Sequence, residues 1–272
     1  MPLQVSSVTL PSGLTLSYAE QGDRSAPTVV FLPGPTDSWR SYGPVLERLP
    51  LSLRAIAISP RGHGDSDKPA TGYRVEDFAG DVGPLLDALD IERTVLVGHS
   101  GSCLVARRVA LDSTERVAGL VLEASPTTLR GHPALEDFVR SIVSGLRDPI
   151  DPEFVRSFVV DTSSDLVGNE MVETLAAELL KVPARVWAEM FDDLLRYDDS
   201  GELDRIAAPT LLIWGDGDEL VRRDVQERQA RLIPRARLLV YEGVGHTPRW
   251  EDPSRFASDV AAFVIRLVAH RP

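Results

Sequence analysis

Residues 94–110 read TVLVGHSGSCLVARRVA, and this stretch decides the fold class. Residues 94–97 form an apolar, β-branched run of the kind found in buried strands. After Gly98 the apolar residues follow helical spacing, at Leu104, Val105 and Val109. A strand that turns directly into a helix makes a sharp, strained corner, and small residues two positions either side of Ser100 leave room for it. The stretch therefore predicts a Ser100 hydroxyl exposed at the end of a strand, with the Gly101 amide at the start of the following helix.

Along the rest of the chain, short apolar runs alternate with longer amphipathic stretches, a pattern typical of a parallel sheet covered by helices. The first two runs flank Pro11, Ser12 and Gly13, whose turn chemistry predicts a hairpin. The candidate strands are SVTL, LTLSYAE, TVVFLP, LRAIAIS, RTVLVG, VAGLVLEAS, TLLIWGD and ARLLVYEG. We therefore predict an α/β fold with a doubly wound, mostly parallel sheet of about eight strands.

The strand pattern stops between residues 125 and 209, and helical patterns replace it there. Pro149, Pro152 and Pro183 punctuate these patterns. The predicted helices cover residues 133–146, 152–160, 169–180 and 184–197. We expect residues 126–208 to form a helical cap inserted into a core domain, which comprises residues 1–125 and 209–272.

The composition excludes several classes of function. The 272 residues include 41 acids and 29 bases, a formal net charge of −12, which argues against a nucleic-acid or anionic-membrane surface. The chain has no P-loop sequence, and the single Cys103 allows neither an intramolecular disulfide nor a cysteine-based metal cluster. No run approaches the roughly 18 apolar residues that a membrane-spanning helix needs, and the first residues lack the pattern of a secretion signal. We therefore expect a cytoplasmic protein.

A serine hydroxyl is a weak nucleophile near neutral pH and needs a base that accepts its proton. Of the five histidines, His246 lies in LLVYEGVGHTPRWEDP, in a glycine-flanked loop just after a strand. Parallel sheets gather their catalytic groups at the carboxyl ends of strands. We therefore expect His246 to be the base. Simpler structural roles suffice for the others, which are His63, His99, His132 and His270.

The chain resembles the α/β-hydrolase superfamily in four motifs that occur in superfamily order. The corner GHSGS resembles the nucleophile elbow, with Ser102 in place of the usual final glycine. SPRGHGDSDKP resembles the Arg-Gly-x-Gly loop, TLLIWGDGDELV the strand-Gly-x-x-Asp turn, and the His246 loop the terminal histidine loop. The resemblance implies the α/β-hydrolase fold and a Ser-Asp-His triad, with Ser100 as nucleophile, His246 as base and no metal or organic cofactor.

The resemblance also implies which carboxylate orients the histidine. In similar sequences the acid is the third residue after the glycine that ends the strand, and because that glycine is Gly215 here, we expect Asp218. Asp216 is the alternative. Glu123 is a further one, because some relatives carry the acid after the preceding strand. With Asp218 the triad has the chain order Ser, Asp, His that this superfamily shows.

The oxyanion hole is where the sequence departs from the superfamily. After a strand such as TVVFL, relatives commonly carry His-Gly-x, and the amide of x faces the oxyanion. The corresponding residues here are Pro33, Gly34 and Pro35. Because proline has no amide hydrogen, the Gly101 amide is the expected donor, and the amide or hydroxyl of Thr36 is the candidate for the second one. Loss of one donor typically costs about 3 kcal/mol, roughly a hundredfold in rate.

Four side chains are candidate walls of the substrate pocket. Trp39 follows the Pro35 loop, and Trp187, Met190 and Phe191 recur at helical spacing in the expected cap. The same spacing also suits the interior of a helical layer. Apolar cap helices above a serine favour an acyl or lactone ligand over a charged one.

The resemblance implies hydrolysis of small or medium carboxylic esters, including lactones, through an acyl-enzyme intermediate. Acyl-homoserine-lactone and enol-lactone hydrolases use this scaffold, and a strained ring tolerates a weaker oxyanion hole. Two alternatives are a cofactor-free haloperoxidase or perhydrolase with a similar triad, and a slow-hydrolysing ligand receptor with a Gly-His-Ser-x-Ser elbow. The expected partner in each enzymatic case is a small molecule, with no nucleic acid and no membrane span.

Overall fold

The structure, a computed structural model, describes residues 3–269, so His270 lies outside the described residues. Its strands are β1 Gln4–Thr9, β2 Thr15–Gln21, β3 Thr28–Leu32, β4 Arg54–Ile58, β5 Thr94–His99, β6 Val117–Glu123, β7 Thr210–Gly215 and β8 Ala236–Tyr241. They form one sheet in the order β1-β2-β4-β3-β5-β6-β7-β8. β2 pairs antiparallel with β1 and β4, and every other pair is parallel. The predicted mostly parallel sheet of eight strands is thus confirmed, including the hairpin at Gly13, whose φ is +85°.

Helices cover both faces of this sheet. They are α1 Gly43–Leu46, α2 Val75–Ala88, α3 Ser102–Asp112, α4 Pro133–Ser141, α5 Pro152–Asp161, α6 Asn169–Leu179, α7 Ala184–Leu194, α8 Arg223–Leu232, α9 Pro248–Glu251 and α10 Pro253–Ala269. Val95 and Val97 of β5 pack on the face that α1 and α10 cover, whereas Leu96 packs on the face of α2 and α3. β5 is therefore buried on both faces, as its continuous apolar run predicts. The prediction of a doubly wound sheet is confirmed.

Residues between β6 and β7 form α4 to α7, and the described residues there include no strand. All four predicted helices are present. The first and the fourth are shorter than predicted: α4 ends at Ser141, before a separate 3₁₀ turn at Val143–Gly145, and α7 ends at Leu194. Residues 141–145 read SIVSG, and β-branched Ile142 and Val143 before Gly145 favour the interruption after α4. No helix among residues 3–269 has the length and apolarity needed to cross a bilayer.

The parallel strands place their carboxyl ends at one edge of the sheet. The loops that follow β3, β5, β7 and β8 meet at this edge. These loops carry Pro35, Ser100, Asp218 and His246, respectively. Open parallel sheets bind their ligands at such an edge.

Candidate active site

Ser100 occupies the corner between β5 and α3. Its φ is +50°, a left-handed conformation that residues other than glycine seldom adopt. The Ser100 amide donates to the Glu123 carbonyl at 2.9 Å, which ties the corner to β6. A side chain at Gly98 would come within 2.8 Å of the Ser102 carbonyl oxygen, so the close approach of α3 to β5 requires glycine there. The corner thus has the strained geometry that the sequence predicts.

The side chains of Ser100, His246 and Asp218 form a continuous hydrogen-bonded chain. Ser100 Oγ lies 3.1 Å from His246 Nε2, and His246 Nδ1 lies 2.9 Å from Asp218 Oδ2. The other carboxylate oxygen of Asp218 accepts hydrogen bonds from the amides of Leu220 and Val221, each at 2.9 Å. Three residues far apart in the sequence are therefore in contact, and two backbone amides fix the direction of the carboxylate.

This arrangement is suited to proton transfer from the serine. Asp218 can only accept a hydrogen bond when ionised, so it holds the proton of His246 on Nδ1. Nε2 then presents a lone pair to the Ser100 hydroxyl. His246 is 9% exposed, and its carboxylate partner is buried, so the pair is largely shielded from water.

The two alternative acids have other partners. Asp216 is exposed, and its Oδ1 accepts from the Gly243 amide at 2.7 Å, which fastens the loop after β8. Glu123 is fully buried and accepts from the Arg249 backbone amide at 2.9 Å. Neither has a hydrogen bond to His246 within residues 3–269. Asp218 is the carboxylate that contacts the imidazole.

A buried ion-pair network lies beneath the loop that carries His246. The Arg249 guanidinium is fully buried and donates to Asp37 Oδ2 at 2.8 Å, with Glu123 Oε1 3.4 Å away. Burial raises the pKa of Asp37 to about 6, against the attraction of Arg249. The guanidinium also stacks on the Trp250 ring, 4.2 Å from its centroid. These contacts anchor the segment just after His246 to the core.

The oxyanion side of the site has one clear backbone donor. The Gly101 amide precedes α3, where the helix itself supplies no acceptor and its dipole favours negative charge. Pro35 packs closely against Gly101. A Cβ atom added at Gly101 would lie only 2.8 Å from the Pro35 ring. Pro35 therefore lies beside the Gly101 amide without offering an N–H of its own.

The expectation that Thr36 supplies the second donor is wrong for this structure. Its amide donates to His63 Nε2 at 3.2 Å, and its hydroxyl donates to the Pro35 carbonyl. His63 Nδ1 in turn donates to the Arg61 carbonyl at 2.7 Å. Burial lowers the pKa of His63 to about 4, so the imidazole is neutral and accepts from Thr36. Both polar groups of Thr36 are thus committed to the loop.

A cavity of about 700 Å³ opens above Ser100 and His246. Most of its lining is apolar, and α4, α5 and α7 contribute Phe138, Phe154, Phe158, Phe191 and Leu194 to it. Of the four predicted pocket residues, Phe191 lines this cavity. Met190 lines a separate void of about 40 Å³ behind Pro35.

The structure contradicts the prediction that Trp39 and Trp187 form pocket walls. Trp39 is buried on the face of the sheet that α1 and α10 cover, and the Arg40 guanidinium lies over its ring. Trp187 is fully buried within the helical layer, packed between the rings of Phe158 and Phe191. Both indoles therefore fill cores, as large aromatic residues commonly do.

Sequence reasoning missed two cavity residues beside His246. Trp250 lines the cavity from α9, four residues after the histidine. His99 is 5% exposed, lines the same cavity, and lies with its Nε2 3.1 Å from the His246 carbonyl. Helical spacing gives no signal for Trp250, because His246 precedes α9, and the orientation of His99 depends on the loop that packs against it.

Comparison with known proteins agrees with this geometry. Residues 27–253 match the family model described as the alpha/beta hydrolase fold. The chain belongs to the α/β-hydrolase family. Within residues 3–269 of this α/β hydrolase, no group of three or more His, Cys, Asp or Glu side chains is arranged to hold a metal ion.

Several relatives of this α/β hydrolase align over most of its length. A non-heme chloroperoxidase of Streptomyces lividans is 29% identical over 95% of the chain and 99% of its own. A 2-(acetamidomethylene)succinate hydrolase of Mesorhizobium japonicum is 26% identical over 86% of the chain and 85% of its own. The crystal structure of an esterase from Rhodococcus sp. superposes with a TM-score of 0.84 at 28% identity, covering 97% of this chain and 99% of that one.

Proposed function

We propose that this α/β hydrolase is a serine hydrolase that cleaves carboxylic esters or lactones through an acyl-enzyme intermediate. The observation that carries the proposal is the chain of hydrogen bonds from Ser100 Oγ to His246, 3.1 Å, and from His246 to Asp218, 2.9 Å. This chain borders an apolar cavity large enough for a small or medium acyl substrate.

Each residue has a separate role in the proposed mechanism. Ser100 Oγ attacks the acyl carbonyl while His246 Nε2 takes its proton, and the Gly101 amide faces the developing oxyanion. The tetrahedral intermediate collapses when the imidazolium returns the proton to the leaving alcohol. Water, deprotonated by His246, then attacks the acyl-enzyme and releases the acid.

The acyl or lactone class is supported by the apolar lining from α4, α5 and α7. A strained lactone or an activated ester suits a site in which Pro35 offers no second amide. The similarity to an esterase from Rhodococcus sp. supports the same class. Comparing turnover of p-nitrophenyl esters with that of acyl-homoserine lactones distinguishes simple esters from lactones.

Substitution of the nucleophile tests the proposal. Ser100→Ala should lower kcat for p-nitrophenyl esters by about 10⁴-fold or more, because the acyl-enzyme cannot form. Ser102→Ala is the matched control in the same corner; its hydroxyl donates to the Pro33 carbonyl at 2.6 Å and is not in the proposed triad. A fluorophosphonate should label the wild-type and Ser102→Ala proteins at Ser100 only. Retention of most activity by Ser100→Ala would reject the mechanism.

A second candidate function is peracid formation. It is favoured by the 29% identity to a non-heme chloroperoxidase of Streptomyces lividans. Hydrogen peroxide would replace water as the attacking group, so that the acyl-enzyme yields a peracid and free Ser100. Bromination that requires peroxide together with acetate, and that is lost in Ser100→Ala, would support it. Absence of bromination under conditions that give ester hydrolysis would reject it.

A further inference from the structure

The large cavity above the triad has a one-sided charge pattern. Its charged lining residues are all acidic, and no Lys or Arg lines it within residues 3–269. Asp37 lines the core side, where its charge is compensated by the buried Arg249. Asp151, Glu153 and Asp161 contribute from α5 and the residue that caps it.

The three acids of α5 keep their charge uncompensated. All three are exposed, and none forms an ion pair in the part of the chain that the structure describes. Arg156, on the same helix, pairs with Glu173 of α6 at 2.8 Å instead of turning toward them. A cleft lined by one sign of charge raises the local concentration of oppositely charged ligands and repels like charges.

The apolar part of the same lining is rich in aromatic rings. Phe138, Phe154, Phe158 and Phe191 face the cavity from one side, and Trp250 lies on the other, next to His246. The faces of such rings attract alkylammonium groups while also accepting their methyl groups as apolar surface. Aromatic rings together with carboxylates are the chemistry that recognises a quaternary or tertiary ammonium.

The core side of the cavity adds no positive charge to this pattern. His99 is 5% exposed, and its Nε2 lies 3.1 Å from the His246 carbonyl, so Nε2 carries the proton. Its Nδ1 therefore holds a lone pair, and this atom has no hydrogen-bond partner. This atom packs against Gly34, and the Asp37 carboxylate is paired with Arg249 at 2.8 Å, so the core side of the cavity presents neither a free carboxylate nor a cationic side chain to a ligand. A carboxylate or sulfonate on the substrate would find no counter-charge.

We infer that this cavity selects esters that carry an ammonium group over isosteric neutral esters and over anionic ones. The inference rests on the proposed function for turnover, but binding follows from the cavity alone. An ammonium group would lie among the aromatic rings and the acids of α5, with the acyl carbonyl at Ser100.

Isosteric substrates test the inference. Butyrylcholine and 3,3-dimethylbutyl butyrate share one shape and differ by a nitrogen and its charge. The ratio of their kcat/KM values, followed in a pH-stat at low salt, should exceed the ratio in an Asp151→Asn/Glu153→Gln/Asp161→Asn variant by at least about tenfold. Because the intrinsic reactivities of the two esters cancel between proteins, the change in ratio measures the effect of the acids. Asn retains the capping ability of Asp151.

A matched variant controls for net charge. Asp165→Asn/Glu170→Gln/Asp204→Asn removes the same number of charges from the segment between β6 and β7, at exposed positions that neither line the cavity nor form an ion pair among residues 3–269. Its ratio should equal that of the wild type. If the ratio of the two kcat/KM values falls equally in both variants, or falls in neither, the inference is overturned.

Binding to Ser100→Ala separates this inference from the proposed function. 4-(Trimethylammonio)phenol, 4-tert-butylphenol and 4-hydroxybenzenesulfonate differ mainly in charge. The shift in Tm should fall in that order. If the wild type cleaves none of the esters but Ser100→Ala shows this order, the proposed function fails and the cationic site stands. If the neutral or anionic phenol gives the larger shift, the cationic site is refuted whatever the activity.

Discussion

Asp218 and Asp216 lie two residues apart in the loop after β7, yet only Asp218 reaches the imidazole. Asp218→Asn should lower kcat for p-nitrophenyl butyrate by about 10⁴-fold, because the amide favours the wrong tautomer of His246. Asp216→Asn should leave kcat within a few-fold of the wild type, since its role is to bind the Gly243 amide. Steady-state kinetics at pH 8 measure both. A larger loss in Asp216→Asn would transfer the acid role to that residue.

Pro35 lies beside the Gly101 amide and has no N–H. The amide of the next residue, Thr36, donates to His63. Pro35→Ala should therefore raise kcat on simple esters, by up to about a hundredfold, because it restores the backbone donor. Pro33→Ala is the control in the same loop, since its carbonyl still accepts from Ser102. An unchanged rate in Pro35→Ala would mean that another group already stabilises the oxyanion.

His63 links stability to pH. Burial lowers its pKa to about 4 in the folded protein, while in the unfolded chain it is near the ordinary value of about 6.5. The unfolded state thus binds more protons between these values, so the wild type is at full stability above pH 6.5 and loses it as the pH falls toward 4.

A substitution isolates this effect. Relative to His63→Gln, the free energy of unfolding of the wild type should fall by roughly 2 to 3 kcal/mol between pH 7 and pH 4. Asp37 also titrates in this range, with its pKa raised to about 6, but it does so in both proteins and cancels. Urea unfolding at a series of pH values measures the difference. Parallel pH profiles would contradict it.

At the scale of elements, one side chain joins both ends of the helical segment between β6 and β7. Arg107 of α3 is fully buried and donates to the carbonyls of Pro126, 2.9 Å, and Thr127, 3.0 Å, where the segment begins. It also donates to the carboxylate of Asp199, at 3.1 Å, where the segment ends. The same guanidinium reaches Gln229 of α8 at 3.0 Å. Arg107 thus ties the helical segment to the sheet.

Arg107→Met should lower the free energy of unfolding by about 3 to 5 kcal/mol, because it leaves the Asp199 carboxylate buried without its partner. Arg108→Met should cost about 1 kcal/mol or less, since Arg108 pairs with Asp112, a half-exposed acid. Urea denaturation gives both values. Equal losses of unfolding free energy in the two variants would contradict this role of Arg107.

Element boundaries could be predicted from the sequence wherever a single strong pattern governs them. Buried strands such as β5 and β7 show continuous apolar runs, and Pro152 and Pro183 mark the starts of α5 and α7. α4 was predicted too long, because its apolar spacing continues past Ser141 although the backbone does not. The β-branched Ile142 and Val143 favour the interruption there, a local signal that the apolar spacing conceals.

At the scale of the whole molecule, the residues of the candidate triad were predictable because each follows a strand of one parallel sheet. The lining of the cavity was not, because it depends on how the helical segment packs on the core. Trp39 and Trp187 carry no signal that separates a core position from a cavity wall. The buried Arg107 and Arg249 were missed for a related reason: an arginine in a sequence gives no sign of the carboxylates that will enclose it.

β6 and β7 are adjacent parallel strands, paired from Leu120 with Thr210 to Glu123 with Ile213. The segment that supplies most of the cavity lining therefore leaves and rejoins the sheet at neighbouring points, while the reactive groups lie on the loops after β5, β7 and β8. One continuous stretch of chain thus supplies most of the cavity wall. Exchanging that stretch alone would change the wall while leaving Ser100, Asp218 and His246 on their own loops.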